Sequence, residues 1–213
     1  MKIKKLLAYI LIFALIVNQV SVISYAQTRT TDTTVISSGV DGNILWELTS
    51  DGTMTISGQG EMNDYDFIDS LPWKNHQYNV KKVIIEDGVT SIGNTSFKLF
   101  SAIREVEISE DVTNIGISAF SGCKALKEIN LPPNITYIGT DAFSSCEGLT
   151  TVDIPAGVIT MGSGVFDSCT NLVEVTIGEG STALPRNIFS RCSNLEKVVL
   201  PESLVTINDN AFY

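Results

Sequence analysis

The chain has few of the residues from which enzymes commonly build an active site. Its 213 residues include one histidine, His76, and four cysteines. The cysteines form no C-x-x-C pair, and the segment around His76 shows no triad or metal-site pattern. These shortages exclude the common zinc motifs and give no support to a histidine-based catalytic centre. The sequence therefore predicts neither enzymatic activity nor a cofactor.

Basic residues are also scarce. Lysine and arginine number 14 against 24 aspartates and glutamates, which gives a formal charge of −10. An excess of this sign predicts that neither nucleic acid nor an anionic lipid surface is a partner. It is compatible with a basic protein partner and equally with simple solubility.

Only one long apolar run is present, and it lies at the N-terminus. Three lysines in the first five residues precede an apolar stretch over residues 6–17, and Ser24-Tyr25-Ala26 offers small residues at the cleavage positions. This pattern is typical of a secretory signal peptide over residues 1–26, with a retained membrane anchor as the alternative. The prediction is an exported protein, secreted or at the cell surface, with no membrane contact after cleavage. Loss of the three lysines would change the formal charge to about −13.

Repetition with a period of 23 residues is the feature that the sequence has in abundance. Phenylalanine recurs without insertion at Phe97, Phe120, Phe143, Phe166, Phe189 and Phe212. Cysteine stands three residues after four of these, at Cys123, Cys146, Cys169 and Cys192. A unit of this length cannot bury its own apolar side, whereas stacked copies can. The period therefore predicts a solenoid in which each of these residues packs on its own copies.

An alternating apolar pair in every repeat predicts the strand of each coil. Pairs such as Val106/Ile108 and Val152/Ile154 recur in phase, in six copies between residues 83 and 200. Branched apolar residues with period two favour short strands, and successive coils would place these strands parallel, about 4.8 Å apart. The predicted fold class is thus a mostly β solenoid of stacked parallel strands with turns and short helical segments.

A hairpin is predicted ahead of the first coil. Residues 44–48 and 54–56 alternate on either side of a Ser-Asp-Gly turn. Such a hairpin would cover the first coil and shield an edge strand. The predicted organisation is a signal peptide at residues 1–26, an N-terminal capping module at 27–79 and repeats at 80–213, with the last of about six coils incomplete.

The repeat resembles a known family. The stretch LKEINLPPNITYIGTDAFSSCEG, residues 126–148, is similar to the BspA-like, Treponema pallidum-type leucine-rich repeat of bacteria. Upstream, ILWELTSDGTMTISGQGEM resembles a short module that often precedes these repeats in exported proteins of Gram-positive bacteria. The resemblance implies a curved right-handed leucine-rich-repeat solenoid with a surface or secreted binding role, for which adhesion is the usual proposal. It implies no catalytic activity.

The shared phase of the cysteines bears on their chemistry. A ladder places neighbouring β carbons about 4.8 Å apart and pointing the same way, whereas a disulfide needs about 3.8 Å and converging side chains. A tetrahedral zinc site is disfavoured as well, because a ladder spreads the sulfurs along a line. The four residues are therefore predicted to be buried free thiols that pack as small apolar side chains. A disulfide between one neighbouring pair is the alternative that remains.

The outward side of the predicted strands, the concave face of the solenoid, is the candidate binding surface. If Val106 and Ile108 point inward, Glu105 and Glu107 point outward. The same phase gives the candidate ligand-binding residues Glu105, Glu107, Glu128, Asn130, Asp153, Glu174 and Thr176. Arg104 and Lys127 are expected to offset part of the repulsion between these charges. The hypothesis is recognition of an extracellular or cell-surface protein, host matrix included; ordinary solubility of an exposed sheet is the alternative.

A weaker candidate site lies ahead of the first coil. Asp64, Asp66 and Asp69 place oxygen ligands close together in the segment NDYDFID. They are a possible calcium site, although the glycine and closing glutamate of an EF-hand loop are missing.

The last repeat stops at Tyr213, before its cysteine and leucine positions. This predicts either a longer natural chain or end-to-end self-association through the edge at residues 198–200. A longer chain raises an alternative function, a carbohydrate-binding or targeting module of a larger secreted enzyme. Carbohydrate sites usually expose aromatic side chains and the predicted strip has none, which favours protein binding.

Overall fold

Stacked short strands make up almost all the regular structure in the computed structural model, which describes residues 33–213. The predicted signal peptide, residues 1–26, lies outside the described residues. Helical structure in the described part is limited to two short 3-10 turns, Ile68–Ser70 and Lys74–His76, and no helix there could cross a membrane. The strands of residues 33–213 are β1 (Val35–Asp41), β2 (Ile44–Thr49), β3 (Thr53–Gly58), β4 (Gly60–Glu61), β5 (Lys82–Ile85), β6 (Val89–Ile92), β7 (Glu105–Ile108), β8 (Asn114–Ile115), β9 (Tyr137–Ile138), β10 (Thr151–Ile154), β11 (Thr160–Met161), β12 (Glu174–Ile177), β13 (Ala183–Leu184), β14 (Lys197–Val199) and β15 (Thr206–Ile207).

In most coils the first strand pairs parallel with its copy in a neighbouring coil. β5 pairs with β7, and β10, β12 and β14 pair in that order. The register is one full repeat, so Val83 lies opposite Val106 and Val152 opposite Val175, and all four are buried. Burial of each such side chain stabilises the fold by about 1.5–3 kcal/mol. The predicted parallel solenoid with a 23-residue period is confirmed.

One predicted strand is reduced to a single bridge. Residues 128–131 form no strand, and only Asn130 pairs, with Asp153 of the next coil. In two other coils the residue at this repeat position donates a backbone bond to the preceding coil, Ser109 to Ile85 and Gly178 to Ile154. Pro132 and Pro155 hold this position on either side of residues 128–131, and proline has no N–H to donate.

A second parallel ladder runs along the coils. It consists of β4, β6, β8, β9 and β11 in one sheet and of β13 and β15 in another. From β6 onward each of its short strands contributes the last apolar residue of the repeat, for example Ile115 opposite Ile138. The sequence shows the apolar position but does not predict a strand there, because two residues are too few to display alternation.

The third row of each coil is built around the phenylalanine. The Phe120 N–H donates to the Ala142 carbonyl oxygen at 2.8 Å, and the equivalent bond recurs at Phe143 and Phe166. The rings form one continuous column in which consecutive centroids from Phe97 onward lie 5.3, 5.5, 5.6, 5.9 and 5.7 Å apart. Residues two before and two after the phenylalanine adopt positive φ, as at Asp141 (55°) and Ser145 (58°). The chain thus turns tightly on either side of each buried ring.

Glycines that precede the phenylalanine allow close approach between coils. Gly93, Gly116, Gly139 and Gly162 have no positive φ. A β carbon on Gly139 would lie 2.6 Å from the backbone of Gly116, which is too close for any side chain. The Gly139 N–H donates to the Ile115 carbonyl oxygen at 2.8 Å, so this contact is also part of the second ladder.

Gly139→Ala is expected to lower the free energy of unfolding by about 1–3 kcal/mol, because the methyl group forces two backbones apart. Urea denaturation followed by circular dichroism measures it. Ser163→Ala, an exposed neighbour of the equivalent glycine one coil later, is the control and should change the free energy by less than about 0.5 kcal/mol. Equal stability of Gly139→Ala and the unmodified protein would contradict the proposed contact.

The N-terminal cap is a three-stranded antiparallel unit that joins the first ladder. β1, β2 and β3 pair antiparallel, and β3 then pairs parallel with β5, with Met54 opposite Val83. The predicted hairpin is therefore present, and β1 is an addition that the sequence did not predict. Trp73 is fully buried, stacks on Phe97 at 5.9 Å and donates from Nε1 to the Ser96 carbonyl oxygen at 2.8 Å. It extends the aromatic column into the cap.

Candidate functional site

The outward side chains of the first ladder, here called the strand face, lie in two rows. One row contains Lys82, Glu105, Glu128, Thr151, Glu174 and Lys197, and the other contains Ile84, Glu107, Asn130, Asp153, Thr176 and Val199. All seven candidate residues from the sequence lie on this face. Glu174 and Thr176 are half-buried and the other five are exposed.

Lysines at the two ends of the strand face pair with the acidic residues nearest to them. Lys82 Nζ lies 2.8 Å from Glu105 Oε1 and 2.5 Å from Glu107 Oε1. These hydrogen bonds raise the pKa of Lys82, and the bond from Lys82 lowers the pKa of Glu105. At the other end Lys197 Nζ lies 2.5 Å from Glu174 Oε1. Because these groups are largely exposed, each pair contributes little to stability.

The centre of the strand face keeps its negative charge. Arg104 and Lys127, which were expected to offset part of it, form no ion pair within residues 33–213. Glu128 and Asp153 likewise have no ion-pair partner in this part of the chain. They form an exposed, uncompensated acidic centre between two paired ends.

The strand face continues onto the cap. Thr55 lies opposite Ile84, and Glu47 lies opposite Thr55. Beyond them Val40 and Leu45 lie opposite each other, 68% and 48% exposed. This apolar end of the surface was missed in the sequence because β1 was not predicted. The sequence signal for β1 is the run VISSGVD, in which two valines stand on either side of small residues.

The calcium candidate is not assembled. Asp64 Oδ1 accepts a hydrogen bond from the Asn94 N–H at 2.7 Å, and Asp69 lies 3.5 Å from Lys74 Nζ. No group of three or more potential metal ligands gathers within residues 33–213. The structure therefore does not bring Asp64, Asp66 and Asp69 together as a site.

The cysteines line the interior. All four are buried free thiols, and each Sγ–H donates to a phenylalanine carbonyl oxygen of the preceding coil, at 3.1 to 3.3 Å. Burial raises the pKa of Cys123, Cys146 and Cys169 far above the usual range, and it raises the pKa of Cys192 to about 11. Thiols this basic are poor nucleophiles and ligands at neutral pH.

Apolar side chains are exposed at the coil that contains Phe212. Val199 is 39% and Phe212 50% exposed, and a cavity of about 360 Å³ is lined by residues that include Phe189, Cys192 and Phe212. End-to-end association through residues 198–200 stays a prediction.

A parallel solenoid whose 23-residue coils stack short strands and a column of phenylalanines, with buried cysteines in four of them, is the architecture of a leucine-rich-repeat protein. Residues 90–213 match the BspA type leucine rich repeat region in six copies. The chain belongs to this family. No curated protein matches it.

Solved leucine-rich-repeat structures of bacteria share the fold. The T. pallidum leucine rich repeat protein is 27% identical with a TM-score of 0.62, covering 80% of this chain and 86% of its own. A leucine rich cell surface protein from Faecalibacterium prausnitzii is 27% identical (TM-score 0.58), with 83% of this chain and 52% of its own covered. A leucine-rich repeat protein from Bacteroides ovatus is 28% identical (TM-score 0.63), with 82% and 50% covered. The match thus spans about half the length of the last two. Family and neighbours support a repeat module for protein interaction.

Proposed function

We propose that this chain is an exported, non-enzymatic binding protein of a Gram-positive bacterium, secreted or displayed at the cell surface. It recognises a protein partner through the strand face, and its role is adhesion, with a host matrix protein as the partner. The observation that carries the proposal is the uncompensated acidic centre at Glu128 and Asp153, framed by the paired ends of the same face.

The energetics of the strand face support a basic partner. Like charges on neighbouring strands repel by a few tenths of a kcal/mol or more. Lys82 and Lys197 relieve this repulsion at the ends, but Glu128 and Asp153 stay exposed and unpaired. Lysine or arginine side chains of a partner would supply the missing countercharge and would speed association. Asp153 lies on β10, and the bridge between Asn130 and Asp153 holds the coil of Glu128 against it, so a partner meets a preformed surface.

The composition of the strand face favours a protein over a carbohydrate. Neither row contains an aromatic residue on which a sugar ring could stack. The apolar end at Val40 and Leu45 instead offers an anchor on the same face, beyond the paired end at Lys82, and protein interfaces use such a mixture of apolar and charged groups. A carbohydrate-targeting role within a larger enzyme has no comparable support on this face.

The double variant Glu128→Gln/Asp153→Asn tests the proposal. Surface plasmon resonance would measure binding to fibronectin, fibrinogen, laminin and collagen, with a glycan array in parallel. The variant is expected to weaken binding to a matrix protein about tenfold or more, because loss of one close charge pair at an interface costs about 1.5 kcal/mol or more. Binding of the unmodified protein should also weaken as salt is raised.

Glu110→Gln/Glu202→Gln is the matched control, because it removes the same charge at exposed positions away from the strand face. It should leave affinity unchanged. An equal loss of affinity in both variants would show that the effect comes from net charge alone. Binding to glycans alone, or to no protein in the panel, would contradict the proposed function.

A further inference from the structure

The outer edge of β1 is unpaired in this chain. β1 is the terminal strand of the sheet that runs β1, β2, β3, β5 and β7, so only its inner edge has a partner. The Gln59 N–H donates to the Asn43 carbonyl oxygen, which indicates that odd-numbered residues along β2 bond toward β3. Even-numbered residues of β2 then bond toward β1, where the register places odd-numbered residues opposite them. The main-chain groups of Ser38 and Val40 therefore face the free edge.

Nothing within residues 35–213 bonds to this edge. No backbone hydrogen bond there joins Ser38 or Val40 to a residue outside β1 and β2. Free edges are commonly protected by lysine or proline, and residues 35–40 contain neither. The one irregularity is a register shift that leaves Ile36 without an opposite residue on β2. Ile36 is 55% and Val40 68% exposed, so the edge is flanked by apolar surface.

We propose that this edge pairs with the same edge of a second copy of the chain. The two strands run antiparallel, and full overlap of their seven residues is centred on Ser38. In this register Ser38 lies opposite Ser38 of the second copy, and Ile36 lies opposite Val40. The strand is self-complementary because Ile36 and Val40 stand two residues on either side of the centre. A two-fold interface requires self-complementarity of this kind.

The charges around β1 favour a second copy over the basic partner proposed for the strand face. Residues 35–40 carry no charge, so a basic partner finds no countercharge there. The Asp41 carboxylate already accepts hydrogen bonds from the Asn63 amide and the Tyr65 hydroxyl. β2 has one charged residue, Glu47. In the dimer its two copies are three strand spacings apart, about 14 Å, which exceeds the Debye length of about 8 Å at physiological salt.

The dimer would present both strand faces on the same side. A two-fold axis between antiparallel strands is perpendicular to the sheet, so the two five-stranded sheets join with the same face outward. Glu128 lies five strand positions from β1, which places the two acidic centres on the order of 50 Å apart along the sheet. On a surface with repeated sites the second contact becomes intramolecular and strengthens binding. This consequence rests on the proposed function, whereas the pairing itself does not.

Sedimentation velocity of the mature chain, from micromolar to millimolar concentration, tests the pairing. The mass is expected to rise from one copy to two and to stop there, because the dimer uses both free edges. The contact is smaller than a standard interface, so a dissociation constant above about 1 µM is expected. Val40→Lys should weaken dimerisation about tenfold or more, since it places an unpaired charge in the interface. Ser38→Pro should abolish dimerisation, because it removes an N–H that faces the free edge and leaves the bonds to β2 in place.

Cysteine variants test the register. Ser38→Cys should form a covalent dimer under mild oxidation, because opposite residues of a hydrogen-bonded antiparallel pair have Cα atoms about 5.5 Å apart, within disulfide range. Val40→Cys is the matched control. Its two copies would lie four residues out of register, about 13 Å apart, and should not cross-link. Equal yields of covalent dimer from the two variants would contradict the proposed register.

Ile159→Lys is the control for added charge, at a position that is 81% exposed and lies outside the sheet of β1. It should dimerise like the unmodified protein, and circular dichroism checks that every variant is folded. A monomer at millimolar concentration would overturn the proposal, as would a dimer that both Val40→Lys and Ser38→Pro leave intact. Masses that keep growing beyond two copies would indicate end-to-end association through residues 198–200 and would overturn it as well.

Discussion

Phe143→Ala is expected to lower the free energy of unfolding by about 3–5 kcal/mol, the usual result of removing a fully buried aromatic side chain. The Phe143 ring is fully buried between Phe120 and Phe166, with centroids 5.5 and 5.6 Å away and nearly parallel planes. Its loss leaves a cavity in the middle of the column that neither neighbouring ring can fill, because each is held by its own coil. Urea denaturation followed by circular dichroism measures the change.

Phe212→Ala is the matched control, since it removes the same side chain from the same repeat position. Among residues 33–213, Phe212 stacks only on Phe189, at 5.7 Å, and it is 50% exposed. The expected loss is therefore less than half of that for Phe143→Ala, because much of the ring surface already meets water. Solenoid coils contact only their neighbours, so a central and a terminal ring should differ in this way. Similar losses would mean that the column does not act through stacking of successive coils.

The parallel ladder and the aromatic column could be predicted because strict periodicity leaves few alternatives. When Phe97 and Phe120 occupy one phase with no insertion, stacking on identical neighbours is the arrangement that buries both. The same reasoning places the cysteines inside. Gly139 also recurs in the repeat phase, but its role in close backbone approach depends on the spacing between coils, which a sequence does not state.

The departures from the predicted ladders have local causes. Residues 128–131 alternate as their copies do, yet Pro132 and Pro155 remove the closing bond on both sides. The break between β11 and β13 has the same origin in Pro185. Proline positions are visible in the sequence, but whether a ladder tolerates one depends on which backbone group faces the next coil.

The members of the strand face could be predicted from period-two alternation, whereas the ion pairs among them depend on side-chain conformation, which alternation does not give. Lys82 shares the phase of Glu105 and pairs with it, whereas Arg104 lies outside β7 and forms no ion pair within residues 33–213. The apolar end at Val40 and Leu45 required knowledge of β1, whose short alternation is weakened by Ser37, Ser38 and Gly39.

Raising the pH above about 9 is expected to destabilise the protein steeply. Burial raises the pKa of Cys123, Cys146 and Cys169 far above the ordinary thiol value of 9.0. In this situation the folded state keeps protons that the unfolded chain releases. The stabilisation is fully present below the unfolded pKa near 9 and is lost as the pH rises toward the folded values. Each such thiol contributes a limiting slope of about −1.4 kcal/mol per pH unit.

Urea unfolding at several pH values between about 8 and 10.5 measures this slope. The double variant Cys146→Ala/Cys169→Ala should make the slope of stability with pH less negative by nearly two thiol contributions. Any effect of the substitutions on stability at neutral pH does not interfere, because that stability and the slope with pH are measured separately. Cys192→Ala is the matched control. The pKa of Cys192 is raised only to about 11, so removal of this thiol should change the slope of stability with pH less as the pH approaches 10.5. Tyr65→Phe accounts for the buried phenol, whose pKa is also raised by burial and by its bond to Asp41. An unchanged slope in the double cysteine variant would show that the thiols are not held neutral by the fold, and the ladder would then have to admit water or ionised sulfur.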